Sequence, residues 1–257
     1  MESTRAAVRL AALAVATSAI YGTWMLTRPI GLFTPRWAPW SHGALMRSWG
    51  WTVTRILGLE VEVHGEPPEP PYFLVCNHLS YVDIVVLSGL LGCSFLAKAE
   101  VAGWPVMGFL VRTSGTLFVD RTRRRDLLRV IEEVRGRLDR FRGVVVFPEG
   151  TSTKGASVEP FNPSIFEIPM RTGRPVHYAS LCYSTPEASP PAHLAVCWWG
   201  EMPFFGHLWR LLTLPSIRAT VVFGSQAIEA ADRKSLAERA HRAVVDAFTP
   251  VASCHAR

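Results

Sequence analysis

The chain has 257 residues, which suits one α/β domain with a small appendage; 49% are hydrophobic and nine are tryptophan, so we expect a membrane-attached protein rather than a freely soluble one. Its net charge of +6 suits anionic lipid headgroups or an acidic carrier protein, and no nucleic-acid motif accompanies it, so we expect no nucleic-acid partner. The five cysteines are scattered and lack metal-ligand spacing, which predicts reduced thiols, no bound metal and a cytoplasmic setting.

An apolar segment covers residues 6–27 and is interrupted only by Arg9 and a few small polar residues. About 17 residues follow Arg9 before the segment ends, which is near the lower limit for a membrane-spanning helix. Arginines lie on both sides of it, at Arg5 and Arg28, so the charge distribution gives no orientation. We expect an uncleaved anchor, although a dip into one leaflet and a cleaved signal sequence are also compatible with the pattern.

A second helix is predicted over residues 41–58, which carry Trp49, Trp51 and Leu57. Trp24 and Trp37 flank the first apolar segment in the manner of interfacial anchors. The second helix could lie in the membrane beside the first, or it could pack on the domain that follows.

The first chemical motif follows an apolar run at residues 72–76, which reads as a buried strand after a proline-rich segment. The polar turn behind it holds His78, with Asp83 five positions later. Such a carboxylate can fix the imidazole tautomer and stabilise the imidazolium that forms when the other nitrogen takes a proton. No serine or cysteine nucleophile stands in an elbow, so the base would act on a substrate hydroxyl. The alternative is a histidine capped by Asp83 for structural reasons alone.

Two further predicted strands end in polar residues. The run Gly115–Val119 is followed by Arg121, whose guanidinium suits bidentate phosphate recognition. The β-branched run 143–147 is followed by an acid-glycine turn at residues 148–153. In that turn Gly150 can present backbone N–H groups to an anion. Because open α/β sheets place ligands at the carboxyl ends of strands, we expect these segments to meet His78.

The other segments complete an α/β pattern, for which we predict a mixed sheet flanked by helices. Helices are expected at residues 84–91, 101–111, 121–142 and 232–247, and strands at 95–98, 176–182, 194–199 and 220–223. The 121–142 helix has a basic face, which is either solvated or, at residues 123–125, a contact for headgroups or an acidic donor protein. The aromatic segment 204–212 is either core or an interfacial patch. The other seven histidines lack a carboxylate at matching spacing and are expected to be structural or exposed.

Four blocks in this order resemble those of the glycerolipid acyltransferases typified by lysophosphatidate acyltransferase, over about residues 50–225. The blocks are Asn77, His78 and Asp83; Gly115, Phe118 and Arg121; Phe147, Pro148, Glu149, Gly150 and Thr151; and an apolar segment around Pro175. The resemblance implies a catalytic His78–Asp83 pair. It also implies substrate-binding roles for Asn77, Gly115, Phe118, Arg121, Glu149, Gly150, Thr151, Ser152 and Pro175.

The same resemblance implies that residues 1–58 form a helical membrane-associated hairpin, followed by an acyltransferase domain at residues 59–257. The enzyme would need no cofactor. Its donor would be acyl-CoA or acyl-carrier protein, and it would work among membrane lipids at the cytoplasmic face of the inner or plasma membrane.

The acceptor that the resemblance implies first is lysophosphatidate, in phospholipid biosynthesis. Family members usually carry an arginine after the third block, whereas this chain has Ser152 and Thr153, with Lys154 next. The family also includes enzymes that acylate lyso-ornithine lipid, where no phosphate is needed, and that acceptor or another non-phosphate lyso-lipid is the alternative. An ester or thioester hydrolase and a non-catalytic lipid-binding protein are rivals from other classes.

Overall fold

The computed structural model describes residues 2–34, 37–103, 108, 111–112, 115–119, 124–138 and 143–254. It begins with helix α1 (Glu2–Thr27), which continues into a 3₁₀ segment (Arg28–Leu32), and helix α2 (Trp37–Leu57) follows. The segment Glu2–Leu32 is long and apolar enough to cross a membrane, and the apolar window within it is not buried in the protein. Both predicted N-terminal helices are therefore present, while their arrangement as a hairpin in a membrane stays a prediction.

The strands described form one mixed seven-stranded sheet, which confirms the predicted fold class. They are β1 (Leu59–His64), β2 (Phe73–Cys76), β3 (Ser94–Lys98), β4 (Leu117–Val119), β5 (Val144–Val146), β6 (Val176–Ser184) and β7 (Ile217–Phe223). Their order is β1-β7-β6-β2-β5-β3-β4, and every neighbouring pair is parallel except β6 and β7. The carboxyl ends of β2, β3, β4 and β5 therefore meet at one edge of the sheet.

Helices cover both faces of this sheet. They are α3 (Val82–Leu91), α4 (Arg124–Leu138), α5 (Glu167–Thr172), α6 (Ala192–Ala195), α7 (Phe204–Thr213) and α8 (Arg233–Ala247). Strand β2 shows how the two faces are built, because successive side chains of a strand point in opposite directions. Leu74 and Cys76 join a core with α2, α3 and α7, whereas Phe73 and Val75 join a second core with α4, α5 and α8.

Helices α2 and α3 pack backbone against backbone. A Cβ atom added to Gly50 would overlap the backbone nitrogen of Gly89, and one added to Gly92 would lie 2.7 Å from the carbonyl oxygen of Gly43. The absence of side chains at these glycines is what allows the close approach. Helix α2 thus packs on the α/β domain, as one of the two sequence readings proposed, and the division of the chain at residue 58 stays a prediction.

Three details differ from the sequence predictions, and most of the helix predicted at residues 101–111 lies outside the described residues. The strand expected at residues 194–199 is wrong, because the carbonyl of Pro191 accepts hydrogen bonds from the N–H groups of Leu194 and Ala195 and starts the helical turn α6. Strand β1 was not predicted. Cys182 and Cys254, 72 positions apart, are paired as a disulfide, whereas five reduced thiols were expected; the fold brings strand β6 to the chain's C-terminal segment.

Candidate active site

The candidate site lies at the edge where β2, β3 and β5 end. His78 stands two residues beyond β2, Phe147 directly follows β5, and Lys98 is the last residue of β3. Because these strands are parallel neighbours, with Val75 paired to Val146 and Leu96 paired to Val146, the three side chains come to the same edge.

The imidazole of His78 is bound to a fully buried carboxylate. Its Nδ1 lies 2.7 Å from Oδ2 of Asp83, and the same oxygen accepts the backbone N–H groups of Leu79 at 2.7 Å and Ser80 at 3.1 Å. The hydroxyl of Tyr183 donates to the other oxygen, Oδ1, at 2.7 Å. Such a set of donors stabilises the ionised carboxylate despite its burial. An ionised Asp83 can only accept, so Nδ1 of His78 carries the proton and Nε2 is left for a substrate.

Tyr183 is one residue of the site that sequence reasoning missed. It lies on β6, is fully buried, and stands 100 positions after Asp83. Burial and the charge of Asp83 raise the pKa of Tyr183, so the phenol stays protonated and keeps donating. The apolar pattern of β6 gave no signal for such a role.

The backbone of His78 is held by Glu149, from the turn after β5. The N–H of His78 donates to Oε1 of Glu149 at 2.6 Å, and the N–H of Glu159 donates to Oε2 at 2.8 Å. Burial raises the pKa of Glu149 to about 7, while these two donors act in the opposite direction. Each oxygen thus accepts one backbone N–H group, so Glu149 positions the histidine segment, and its contact with a substrate stays a prediction.

The flat face of the His78 ring stacks on Phe147. The two ring centroids are 4.2 Å apart with an interplanar angle of 15°. Phe147 in turn stacks on Phe95, at 6.2 Å between centroids. The imidazole is 19% exposed, so it is held between the phenyl ring and Asp83 and remains reachable from one side.

Asn77 belongs to the framework of the site. Its Nδ2 donates to the carbonyl of Leu181 at 3.0 Å, and its Oδ1 accepts the N–H of Leu181 at 2.7 Å. The side chain is 1% exposed, so the predicted substrate contact is not what the structure shows. Asn77 instead continues the pairing of β2 with β6 by one residue, just before the base.

The turn after β5 supplies polar groups beside His78. Gly150 has a φ of +76°, and its own N–H donates to the carbonyl of Phe147 at 3.1 Å, so this N–H is not the free anion donor that was expected. The Ser152 hydroxyl donates to the carbonyl of Trp198. The backbone N–H groups of Thr151 and Ser152 have no acceptor within the described part of the chain, and both residues line the cavity next to His78.

A cavity of about 530 Å³ opens beside His78. Its wall is apolar for the most part and is built by residues of α1, α2, α3 and α7, for example Leu13, Trp49, Val85 and Leu208. Lys98 also lines it and is the one cation among the described lining residues. The sequence pattern predicts that Lys98 lies on a strand and indicates no role for it in the site.

Several predicted substrate-binding residues lie away from this cavity. Pro175 immediately precedes β6, and because β6 runs parallel to β2 it stands at the opposite edge of the sheet from His78. Gly115, with a φ of +81°, packs against His42. The carbonyl of Phe118 accepts a hydrogen bond from Arg129 at 2.8 Å, and its side chain does not line the cavity. Arg121 lies outside the described residues.

A second histidine is tied to the site. The Nε2 of His207, on α7, lies 3.0 Å from the carbonyl of Cys197, and a carbonyl only accepts, so Nε2 carries the proton. Nδ1 is then the acceptor for the Tyr81 hydroxyl, at 2.9 Å. Tyr81 lines the cavity, so α7 is fastened to the segment between His78 and Asp83.

Comparison with known proteins gives a consistent result. A protein-family model described as Acyltransferase matches residues 60–181. The lyso-ornithine lipid O-acyltransferase of Pseudomonas aeruginosa is 33% identical over 207 residues, which cover 78% of this chain and 76% of that protein. The 1-acyl-sn-glycerol-3-phosphate acyltransferase of Neisseria meningitidis serogroup B is 28% identical over 210 residues, or 80% of this chain and 81% of that protein.

The fold has a counterpart among solved structures. The crystal structure of PlsC, the 1-acyl-sn-glycerophosphate acyltransferase of Thermotoga maritima, matches with a TM-score of 0.67 and 21% identity. The match covers 96% of this chain and 97% of that one, so it includes the N-terminal helices as well as the sheet.

Proposed function

Since this chain belongs to the acyltransferase family, we propose that it moves a fatty acyl group from an acyl thioester to the hydroxyl of a lyso-lipid, with His78 as the base. The observation that carries this proposal is the buried His78–Asp83 pair, which presents one ring nitrogen beside a largely apolar cavity. A cavity of that kind suits an alkyl chain, because each methylene taken out of water contributes about 0.8 kcal/mol to binding.

The proton path follows from the tautomer. Nε2 of His78 takes the proton of the acceptor hydroxyl as the hydroxyl oxygen attacks the thioester carbonyl, and Asp83 stabilises the resulting imidazolium. The carbon–sulfur bond then breaks, the imidazolium returns its proton to the leaving thiolate, and the products are an ester and a thiol. No covalent acyl-enzyme is needed when both substrates occupy the site together.

The developing oxyanion needs donors that are not used elsewhere. The backbone N–H groups of Thr151 and Ser152 meet this condition among the described residues, whereas that of Gly150 does not. We therefore propose that the backbone N–H groups of Thr151 and Ser152 donate hydrogen bonds to the oxyanion. Stabilisation of this kind is worth about 3–4 kcal/mol per donor where it has been measured by mutation.

For the acceptor, the proposal is a lyso-lipid with an anionic headgroup, lysophosphatidate first, because Lys98 lines the cavity together with His78. Lyso-ornithine lipid is a second candidate, and a specific observation favours it. Ser152 stands where a second cation would be expected in an enzyme for a phosphate group, and its hydroxyl is already bound to Trp198. Among the lining residues that the structure describes, Lys98 is the one cation, and one cation is enough to pair with the carboxylate of an ornithine headgroup.

We place the reaction at a membrane surface, on the cytoplasmic face, with acyl-CoA or acyl-carrier protein as donor. The apolar helix α1 supports attachment to the membrane. The cytoplasmic face follows from the donor, since acyl thioesters are made there, and it is part of the proposal.

The test uses membranes containing the full chain, a labelled acyl thioester and a panel of acceptors that includes lysophosphatidate, lyso-ornithine lipid and a neutral lyso-lipid. His78→Ala should lower turnover by about 10²–10⁴-fold, which is the usual contribution of a positioned general base. His64→Ala is the matched control, because His64 also contacts a carboxylate, Glu62 at 3.0 Å, but on an exposed surface. Activity of the His78 variant at the level of the control would refute the assignment.

Two further arms separate the rivals. Without any acceptor, a hydrolase would release labelled fatty acid at the same rate, whereas an acyltransferase should not. Lys98→Ala should raise KM for an anionic acceptor and leave a neutral one unaffected, while Lys154→Ala, on an exposed side chain outside the cavity, should change neither.

A further inference from the structure

Helix α7 is apolar on two sides. Its inner side contributes Phe204, Leu208 and Leu211 to the wall of the cavity. Phe205 and Trp209 each stand one position further along the helix and are 81% and 42% exposed. A surface helix of a soluble protein normally turns charged or polar side chains outward, so an outward pair of large aromatic residues calls for a covering partner.

The outward residues form one patch with their surroundings. Leu194, on α6, is 41% exposed, and its carbonyl accepts a hydrogen bond from Arg210 at 3.4 Å. We call Phe205, Trp209 and Leu194 the aromatic face, with Arg210 at its border. Tryptophan and phenylalanine beside an arginine are the residues that lie in the headgroup region of membranes, where the guanidinium can reach lipid phosphates.

Helix α7, which carries most of the aromatic face, is bonded to the N-terminal helix. Arg5 of α1 donates to the carbonyl of Thr213 at 2.8 Å, and Arg9 donates to that of Leu214 at 2.6 Å, so α1 satisfies carbonyls at the end of α7. Val8 and Val15 of α1 are themselves exposed. The two helices are thus fixed to each other and both expose apolar side chains.

We propose that the aromatic face of α7 is a second contact with the lipid bilayer, separate from α1, and that it inserts into the headgroup region of an anionic membrane. Lipid is the occupant that the observations favour, because α7 is hydrogen-bonded to the apolar helix α1, the face is bordered by Arg210, and the chain has a net charge of +6. Through the bond between His207 and Tyr81, this contact would also set the orientation of the cavity relative to the membrane.

A fluorescent label tests the contact without reference to the reaction. Gly206 is exposed beside Phe205, and a Cβ there would make only an ordinary contact with Pro203, so Gly206→Cys can carry a nitrobenzoxadiazole group. Gly136→Cys is the matched control, because Gly136 is an exposed glycine in the last turn of α4, on the other face of the sheet, with nothing within 4 Å of its Cβ position. The three free native cysteines are buried, so labelling is directed to the new thiol.

The labelled proteins are mixed with vesicles of equal parts phosphatidylcholine and phosphatidylglycerol that contain brominated acyl chains. Bromine should quench the label at position 206 and not at position 136, and adding F205Q and W209Q should abolish the quenching at 206. Equal quenching at both positions, no quenching at 206, or quenching that survives the double substitution would each overturn the proposal. Without vesicles, fluorescence emission of the label at position 206 at shorter wavelengths than that of the label at position 136 would also overturn the proposal. The aromatic face would then be covered by a second copy of the chain rather than by lipid.

A kinetic experiment adds a functional readout and rests on the proposed reaction. The F205Q/W209Q variant should use a vesicle-presented lyso-lipid roughly tenfold less well and a monomeric short-chain acceptor as well as the wild type. L128Q/V245Q is the control, since Leu128 on α4 and Val245 on α8 are exposed apolar residues of the opposite face. An equal loss with both acceptors would overturn the proposal. Failure of the reaction itself would appear in the wild type and leave the fluorescence result intact.

Discussion

Replacing Asp83 by asparagine separates the charge of the pair from its geometry. An asparagine that turned its NH2 group toward the imidazole would force the wrong tautomer and remove the base. Here the N–H groups of Leu79 and Ser80 point at the same carboxylate oxygen as His78. Two N–H donors at that position require an acceptor, so the amide oxygen is held there, and the NH2 group lies next to the Tyr183 hydroxyl, which can rotate to accept.

The size of the effect follows from the bond that changes. In Asp83→Asn the hydrogen bond to His78 and the tautomer are kept, and the loss is that of a charged partner for the imidazolium. Hydrogen bonds to charged groups are worth about 1.5–3 kcal/mol, which corresponds to a roughly 10- to 150-fold fall in kcat. Asp83→Ala removes the charge, the group that orients the imidazole ring and the acceptor of two backbone N–H groups. The kcat of this variant should therefore fall further than that of Asp83→Asn.

The assay is the initial rate of acyl transfer with saturating donor and acceptor, for wild type, D83N and D83A at equal amounts of folded protein. Asp246→Asn is the matched control, because Asp246 is an exposed aspartate on α8, and the same change of charge there should leave kcat unchanged. The expected order of rates is wild type, then D83N, then D83A. A D83N enzyme as slow as D83A would refute the reasoning, because the amide would then not have kept the tautomer.

Three other predictions concern the framework. The glutamine in Glu149→Gln can accept only one of the two backbone N–H donors, so the free energy of unfolding should fall by about 1–3 kcal/mol and acyl transfer should be slower. Thermal denaturation measures the first effect, and an unchanged melting temperature would contradict the role of Glu149 in holding His78. Burial lowers the pKa of His207 to about 4, below its value of about 6.5 in the unfolded chain, so the folded state binds fewer protons at this residue. The contribution of His207 to the free energy of unfolding should therefore fall by about 1–2 kcal/mol from pH 7 to pH 5, whereas Glu149, with its pKa raised to about 7, acts in the opposite direction. In urea titrations the difference in free energy of unfolding between wild type and His207→Gln should change by that amount between the two pH values, and a difference that does not depend on pH would contradict the role of His207. Gly50→Ala should destabilise the protein by about 1–3 kcal/mol or more, because the new Cβ meets the backbone of α3. Gly136→Ala is the control and should stabilise α4 by about 0.5–1 kcal/mol, because no atom lies near the new Cβ. Equal melting temperatures of the two variants would argue against the close packing of α2 and α3.

The parts of the site that could be predicted from sequence are those encoded within a few residues. His78 and Asp83 are five positions apart, at the end of a strand and the start of a helix, so the chain itself keeps them near each other. The turn after β5 was recognised in the same way, from a β-branched run followed by an acid and a glycine. In both cases local pattern and local structure coincide.

Contacts made across the sheet were not predicted. Tyr183 and Leu181 reach the His78 segment from β6, about 100 positions later, and they sit in an apolar run that reads only as a buried strand. The position of Pro175 in the sheet was not predicted either. Its motif was recognised, but the sequence does not say at which edge of the sheet a strand begins, and the parallel pairing with β2 puts it at the far one.

The contacts that Glu149 and Asn77 make within the protein were not predicted, for a different reason. Both are polar residues of the motifs that were expected to meet at the catalytic base, and for that reason a contact with the substrate was predicted for each of them. In the folded chain their hydrogen-bonding atoms are taken by backbone groups of the protein, at His78 and Glu159 for Glu149 and at Leu181 for Asn77. Unpaired backbone groups are costly in a buried site, so these side chains satisfy them first.

The contact of Gly50 with Gly89 bears on how proteins of this kind can be recombined. Because a side chain at either position would push the two helices apart, each surface accepts only a partner that also lacks a side chain there. An N-terminal segment taken from a relative and joined at residue 59 would meet a host helix α3 for which it was not selected. Chimeras should therefore fold only when α2 and α3 come from the same parent, so these two helices are expected to be inherited as one unit, and the junction between anchor and sheet is a poor place for a crossover.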